Sequence, residues 1–125
     1  MAIPSGSGSE VIKHLHYEGV DNSTWRDLIG TQGSGTVSNH IYTIVSIIIG
    51  ERAGSGSKLC RLRIVDSDGS SNEFMLYDGL SLPADGMYVI NERFSVTGNK
   101  RLQFRGNSTS SDFNVYCTYI DQDWS

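Results

Sequence analysis

The longest apolar run in the chain covers residues 39–50, and its composition is that of a β-strand. Isoleucine and valine dominate it, and these β-branched side chains suit a pleated strand better than a helix. Strict alternation divides its apolar side chains between two faces: Ile41, Val45, Ile47 and Ile49 on one, Tyr42, Ile44 and Ile48 on the other. Apolar side chains on both faces predict a central strand that is covered on both sides, as inside a sandwich.

Shorter alternations of apolar and polar residues predict further strands around this one. They cover residues 10–17, 23–29, 58–66, 73–77, 87–97, 101–105 and 112–120, with a bend expected at residues 91–92. The sequence Asp68-Gly69 is a strong hairpin signal, whereas residues 30–38 and 50–57 are expected to be weakly anchored loops. About eight short strands without a convincing helix predict an all-β fold, an antiparallel jelly-roll-like β-sandwich.

A chain of 125 residues is expected to form one domain. Residues 1–9 are small and Gly/Ser-rich, which predicts a flexible N-terminal arm ahead of a single domain over residues 10–125. The arm lacks a charged n-region and an apolar h-region, so we expect no signal peptide. The apolar run at residues 39–50 is also shorter than the about 20 residues that a membrane-spanning helix needs.

The net charge of −4 and the isoelectric point near 5.2 argue against a protein that binds nucleic acid, which would present a basic face. They also offer no polybasic segment for anionic lipid. We therefore expect neither nucleic acid nor a membrane as partner.

The two cysteines, Cys60 and Cys117, both occupy inward-looking positions of predicted strands. Without a secretion signal they are interpreted as reduced, buried thiols that act as small apolar side chains. A disulfide is the alternative, and it requires the two Cα atoms to lie within about 7 Å of each other.

No motif in the sequence indicates catalysis. His14 and His16 share a strand face but have no visible third metal ligand, and residues 66–73 resemble a calcium loop less than a hairpin turn. The carboxylates Asp27, Glu51, Glu73 and Glu92 are interpreted as solvated. The prediction is a non-enzymatic protein without metal or cofactor.

Four arginines alternate outward on two predicted strands: Arg61, Arg63, Arg101 and Arg105. If the strands are neighbours, these side chains form a basic stripe. The stripe is either ordinary surface charge paired with nearby carboxylates or a surface that docks onto an acidic partner. Trp25 and Trp124 lie outside the strongest strands, where exposed aromatic side chains are typical interface anchors.

Several stretches together resemble small structural proteins of tailed bacteriophage particles. They are residues 2–11 (AIPSGSGSEV), 39–47 (NHIYTIVSI), 66–72 (DSDGSSN) and 119–125 (YIDQDWS), and their order and combination carry the resemblance. It implies a virion component with a β-sandwich fold and no catalytic activity. Members of this group decorate or cement capsids, often as trimers, or occur in tails and fibres.

The leading hypothesis is a capsid cement or decoration protein on the capsid surface of the virion, a homotrimer that binds the major capsid protein. Its expected contact residues are Ile3, Pro4, Trp25, Arg61, Arg63, Arg101, Arg105 and Trp124. The alternatives are a tail or tail-fibre module that binds a host-surface glycan, and a lectin-like accessory domain or small all-β hydrolase.

Overall fold

The computed structural model describes residues 9–68 and 71–124. All secondary-structure elements in this described part are β-strands. They are β1 (Ser9–Val20), β2 (Arg26–Ile29), β3 (His40–Glu51), β4 (Lys58–Asp66), β5 (Phe74–Leu82), β6 (Met87–Ile90), β7 (Phe94–Val96), β8 (Lys100–Gly106) and β9 (Phe113–Asp123). The described part contains no helix long and apolar enough to cross a membrane. Of the predicted arm over residues 1–9, residues 1–8 lie outside the described residues, and Ser9 is the first residue of β1.

The strands form two antiparallel sheets. One has five strands in the order β1-β9-β3-β6, with β7 also paired to β3, and the other has four in the order β2-β8-β4-β5. Strands β6 and β7 pair with successive parts of β3, so they act as one strand that is interrupted at residues 91–93. This order is a jelly roll with eight strands, one of them divided. The predicted fold class and the bend at residues 91–92 are confirmed.

The core lies between the two sheets. Its largest fully buried side chains are Phe104, Phe113, Ile44, Ile47, Ile49, Leu62, Leu82 and Leu102. Phe104 and Phe113 meet edge to face, with ring centres 5.9 Å apart, and so link the four-stranded sheet to the five-stranded one. Each such side chain contributes about 1.5–3 kcal/mol on burial, which makes this layer the main source of stability.

A β-bulge in β3 corrects the predicted orientation of the central strand. Its pairing with β9 shifts between Ile44 and Ser46, so Val45 is an extra residue in the alternation. Tyr42, Ile44, Ile47 and Ile49 consequently all face the core, whereas strict alternation had placed Ile47 and Ile49 opposite Ile44.

The outer face of the five-stranded sheet has no cover within the described chain, so the prediction of a strand buried on both sides is wrong. Strand register places His16, Tyr116, Ile48 and Val89 in one row across this face. Tyr116 and Val89 are each 40% exposed.

The two loops predicted to be weakly anchored are in fact held by specific hydrogen bonds. In the first, the backbone amide of Gly33 donates to the carbonyl of Ser67 (2.8 Å), and the amide of Thr36 donates to the carbonyl of Gly98 (2.9 Å). In the second, Glu51 is buried, and its carboxylate accepts hydrogen bonds from the amides of Ala53 (2.7 Å), Gly54 (3.3 Å) and Asp85 (2.7 Å). Glu51 is therefore not the solvated carboxylate expected from its position.

Cys60 and Cys117 are free thiols in the core, which confirms their interpretation as buried apolar side chains. Burial raises the pKa of each thiol to about 12. Both are consequently protonated and poorly nucleophilic at neutral pH.

Candidate functional site

The four predicted arginines lie on one face of the four-stranded sheet, the face turned away from the core. Strands β4 and β8 are direct neighbours, and their register pairs Arg61 with Arg105, Arg63 with Gln103 and Val65 with Arg101. The residues between them, such as Leu62 and Phe104, point into the core. The structure thus brings together side chains that are about 40 residues apart in sequence.

Two of these arginines are buried in a polar network instead of forming an exposed stripe. Arg63 donates from Nε to Oε1 of Gln103 (2.9 Å) and from Nη1 to Oε2 of Glu73 (2.5 Å). Gln103 in turn donates to Oδ1 of Asp27 (2.9 Å), and Arg101 donates to the same oxygen (3.2 Å). These linked hydrogen bonds cross the four-stranded sheet from the start of β5 to β2, and they hold the outer face of that sheet rigid.

Trp25 lies over this face and completes what we call the arginine–tryptophan cluster, namely Trp25, Arg61, Arg63 and Arg105. It directly precedes β2, whose register pairs Arg26 with Phe104, so Trp25 comes alongside Arg105. The guanidinium carbons of Arg63, Arg105 and Arg61 lie 3.8, 4.8 and 5.9 Å from the centre of its ring. These distances are within the range of cation–π attraction.

The positive charge of the cluster is only partly balanced. Arg61 pairs with Asp78 (2.8 Å), and Arg63 pairs with Glu73 (2.5 Å). Among residues 9–68 and 71–124, Arg105 has no carboxylate within ion-pair distance, and its Nε is buried without an acceptor. Burial, followed by repulsion from Arg61 and Arg63, lowers the pKa of Arg105. The cluster therefore carries an excess of positive charge.

The other predicted contact residues are not part of this cluster. Arg101 is buried against Asp27, and the backbone amide of Trp124 donates to the carbonyl of Asn39 (3.1 Å), beside the start of β3. The indole nitrogen of Trp124 is buried without a hydrogen-bond acceptor in the described part of the chain. Ile3 and Pro4 lie outside the described residues.

Sequence reasoning offered carboxylate partners for the arginines as one alternative, but it did not identify Glu73, Asp78 or Gln103 as those partners. Glu73 and Asp78 reach Arg63 and Arg61 because β5 pairs antiparallel with β4. The hairpin signal predicts that the strands are neighbours. It does not predict the two register shifts in this pairing, which decide which carboxylate meets which arginine.

Two clefts in the described part of the chain are smaller than ordinary ligand pockets. Two clefts of about 240 Å³ open between the sheets, one lined by Leu28, Val37, Tyr42 and Tyr119, the other by Leu62, Tyr77, Ile90 and Phe94. Small-molecule sites usually enclose about 300–1,000 Å³. Residues 9–68 and 71–124 also contain no group of three or more His, Cys, Asp or Glu that could hold a metal ion. The arginine–tryptophan cluster is thus a surface site, suited to an anionic or planar group on another molecule.

No protein-family model matches this chain, and no curated protein matches it in sequence. Among solved structures it is similar to a protein of Bacillus endospore appendages, which are disulfide-linked pili; sequence identity is 14%, the TM-score is 0.52, and 100% of this chain and 97% of that chain are covered. It is also similar to the CBM22-1 xylan-binding domain of Xyn10C from Paenibacillus barcinonensis, with 10% identity, a TM-score of 0.50, and 98% and 86% coverage of the two chains. At these identities the similarity shows the fold alone, a two-sheet β-sandwich.

Proposed function

We propose that this chain is a non-enzymatic structural protein of a virion, a cement or decoration protein that binds the major capsid protein on the outer surface of the shell. The observation that carries the proposal is the arginine–tryptophan cluster, whose positive charge is not balanced within the described chain. A cationic cluster on an otherwise acidic protein is complementary to an acidic surface patch on a partner.

The cluster has the composition and rigidity of an interface centre. Tryptophan and arginine are the residues most enriched where binding energy concentrates in protein interfaces. Here Trp25 is held by three guanidinium groups, and Arg63 is held in turn by Gln103 and Glu73. Side chains that are already ordered lose little conformational entropy on binding, so more of the contact energy appears as affinity.

Assembly as a homotrimer belongs to the same proposal, and it rests on the resemblance of the sequence to small structural proteins of tailed bacteriophages, which decorate capsids often as trimers. Three copies of one weak contact act together, because the first contact raises the effective concentration of the other two. A modest site on each chain is then sufficient for stable attachment to a shell that repeats its acceptor surface many times.

The test is cosedimentation of the purified protein with shells assembled without it. We expect saturable binding that weakens as sodium chloride is raised, since salt screens exposed charges. Trp25→Ala should weaken binding, whereas Tyr116→Ala, which removes an exposed aromatic ring from the opposite sheet, serves as the matched control. A second comparison, with and without residues 2–9, tests the predicted contribution of Ile3 and Pro4. Absence of binding to any shell would contradict the proposal.

The alternative is a tail or tail-fibre module that binds a host-surface glycan, and Trp25 is the feature that favours it. Aromatic rings on sheet faces can stack on sugar rings, but Arg63 already covers one face of the Trp25 ring at 3.8 Å. Binding on a glycan array, lost in Trp25→Ala and combined with no binding to shells, would replace the first proposal with this one.

A further inference from the structure

We infer that Arg105, together with Arg61 and Trp25, forms a receptor for a carboxylate that an Asp or Glu of the partner protein supplies. The inference deepens the proposed function, on which it rests for the identity of the partner. It assigns one position of the cluster and one chemical group on the other side of the interface.

The pairing of Arg61 with Arg105 is the first argument. These two residues are directly opposite each other on neighbouring strands, and both guanidinium groups lie within 6 Å of the same ring centre, at 5.9 and 4.8 Å. Like charges in directly opposed positions destabilise a sheet. A chain that retains such a pair carries a local cost in the free protein, and an anion bound between the two charges would remove it.

The second argument is the state of the Arg105 side chain. Its Nε is buried without a hydrogen-bond acceptor among residues 9–68 and 71–124, and no carboxylate of those residues lies within ion-pair distance of its guanidinium group. The side chain as a whole is only partly buried, so part of it remains accessible to an incoming group. Arg105 is thus a partly desolvated cation, and burial and repulsion from Arg61 and Arg63 both lower its pKa.

The third argument is the pattern that surrounds it. Arg61 and Arg63 each already hold one carboxylate of the same chain, Asp78 and Glu73. Arg105 repeats their geometry beside the same ring but has no such partner. The planar guanidinium group is matched to a carboxylate, which it can bind through two parallel hydrogen bonds. An acidic side chain of another protein fits this position.

An NMR titration tests the site directly, with capped hexaglutamate as the probe. We expect shifts of the Arg105 Nε–H and the Trp25 indole N–H resonances in the wild-type protein. Arg105→Gln should weaken the peptide about tenfold to a hundredfold, which is the worth of a charge-assisted hydrogen bond. Arg93→Gln removes the same charge from an exposed residue outside the cluster, and it should change the affinity by less than about twofold because exposed charges are screened. Trp25→Phe keeps an aromatic ring at the centre of the cluster. The remaining resonances of each variant show whether its fold is the same as that of the wild type.

Each outcome decides the inference. Equal binding to wild type and Arg105→Gln, binding lost equally in Arg93→Gln, or no shift at millimolar peptide would overturn it. Tighter binding of oligogalacturonate than of hexaglutamate would overturn the protein source and assign the site to acidic glycans. The proposed function fails separately: Arg105-dependent binding of hexaglutamate without any binding to shells would keep the carboxylate site and reject the shell. If wild type and Arg105→Gln bind shells equally well, the proposed function is kept and the carboxylate site at Arg105 is rejected.

Discussion

The guanidinium carbon of Arg63 lies 3.8 Å from the centre of the Trp25 ring, so the aromatic side chain packs over a buried cation. Arg63 is also held by Gln103 and Glu73, and it cannot turn away from the ring without breaking those bonds. Trp25 is therefore a structural element of the sheet face as well as a candidate contact residue.

Truncation of Trp25 should destabilise the protein. We expect Trp25→Ala to lower the free energy of unfolding by about 2 kcal/mol, because it removes both apolar burial and cation–π attraction. Trp25→Phe should lose about half as much. Urea unfolding measures both values. The control is Tyr116→Ala, which changes an exposed residue and should lower the free energy of unfolding by less than about 1 kcal/mol. An unchanged stability of Trp25→Ala would show that the ring is not packed as described.

Replacement of Glu51 should loosen two loops at once. Its carboxylate accepts three backbone hydrogen bonds, from Ala53, Gly54 and Asp85, and Glu51→Ala leaves those amides without their acceptor. We expect a melting temperature several degrees below that of the wild type, with an intermediate value for Glu51→Gln, which keeps one oxygen. Hydrogen exchange should accelerate at Ala53 and Asp85. The exposed Glu92→Ala is the control, and equal effects of the two alanine variants would contradict the role of Glu51.

Asp121 should make stability depend on pH in the acid range. It is 5% exposed, with Nζ of Lys13 2.7 Å and Nδ1 of His40 2.6 Å from its oxygens. Burial by itself would raise the pKa of Asp121, but the bonds from Lys13 and His40 outweigh it, so the pKa is lowered. The folded state thus favours the carboxylate, and the associated stability is present above the unfolded pKa of about 4 and is lost as pH falls below it.

Urea unfolding between pH 7 and pH 3 measures this dependence. Asp121→Asn should be about 2 kcal/mol less stable than the wild type at pH 7, since it loses charge-assisted bonds. The difference should narrow as the pH falls through the acid range. Two pH profiles that run parallel would show that Asp121 is not the group responsible.

Two neighbouring glycines should respond differently to alanine. Gly35 has φ +72°, and an added Cβ would lie 2.5 Å from Cα of Asn99, whereas Gly33 has φ +86° with nothing within 4 Å of the added atom. We expect Gly33→Ala to cost about 1 kcal/mol from backbone strain alone. Gly35→Ala should cost about 3 kcal/mol or more, because the loop must also move away from residue 99. Thermal unfolding compares the two, and equal losses would argue against the close packing of this loop.

The thiols of Cys60 and Cys117 should react only when the protein opens. Both are buried in the core, and burial raises the pKa of each to about 12. A thiol-reactive disulfide reagent at neutral pH should modify neither in the native protein and both in urea. Ser55→Cys places a thiol in an exposed loop and should react at once. Rapid reaction of either native cysteine would contradict the burial of that side chain.

The alternation of apolar and polar residues was sufficient to predict most strands. Phe113, Val115 and Cys117 face the core as their spacing indicates, because side chains of an extended strand alternate between its two faces. The same rule failed along β3 beyond Val45, since a bulge depends on the hydrogen bonds of both paired strands. The anchoring of the loops also escaped prediction, because Ser67, Gly98 and Asp85, which hold them, are distant in sequence.

By itself, the sequence determined the fold class, the positions of most strands, the burial of both cysteines and the outward direction of the four arginines. These follow from local spacing, which each segment carries on its own. Strand β5 continues to Leu82, beyond the predicted end at residue 77. Only the tertiary structure decided that Trp25 covers three of those arginines, that Arg63 and Arg101 are buried, and that Arg105 has no carboxylate partner among the described residues. Those facts depend on the strand order β2-β8-β4-β5 and on the register of its pairs. Both arise from contacts between distant segments, so no single segment determines them.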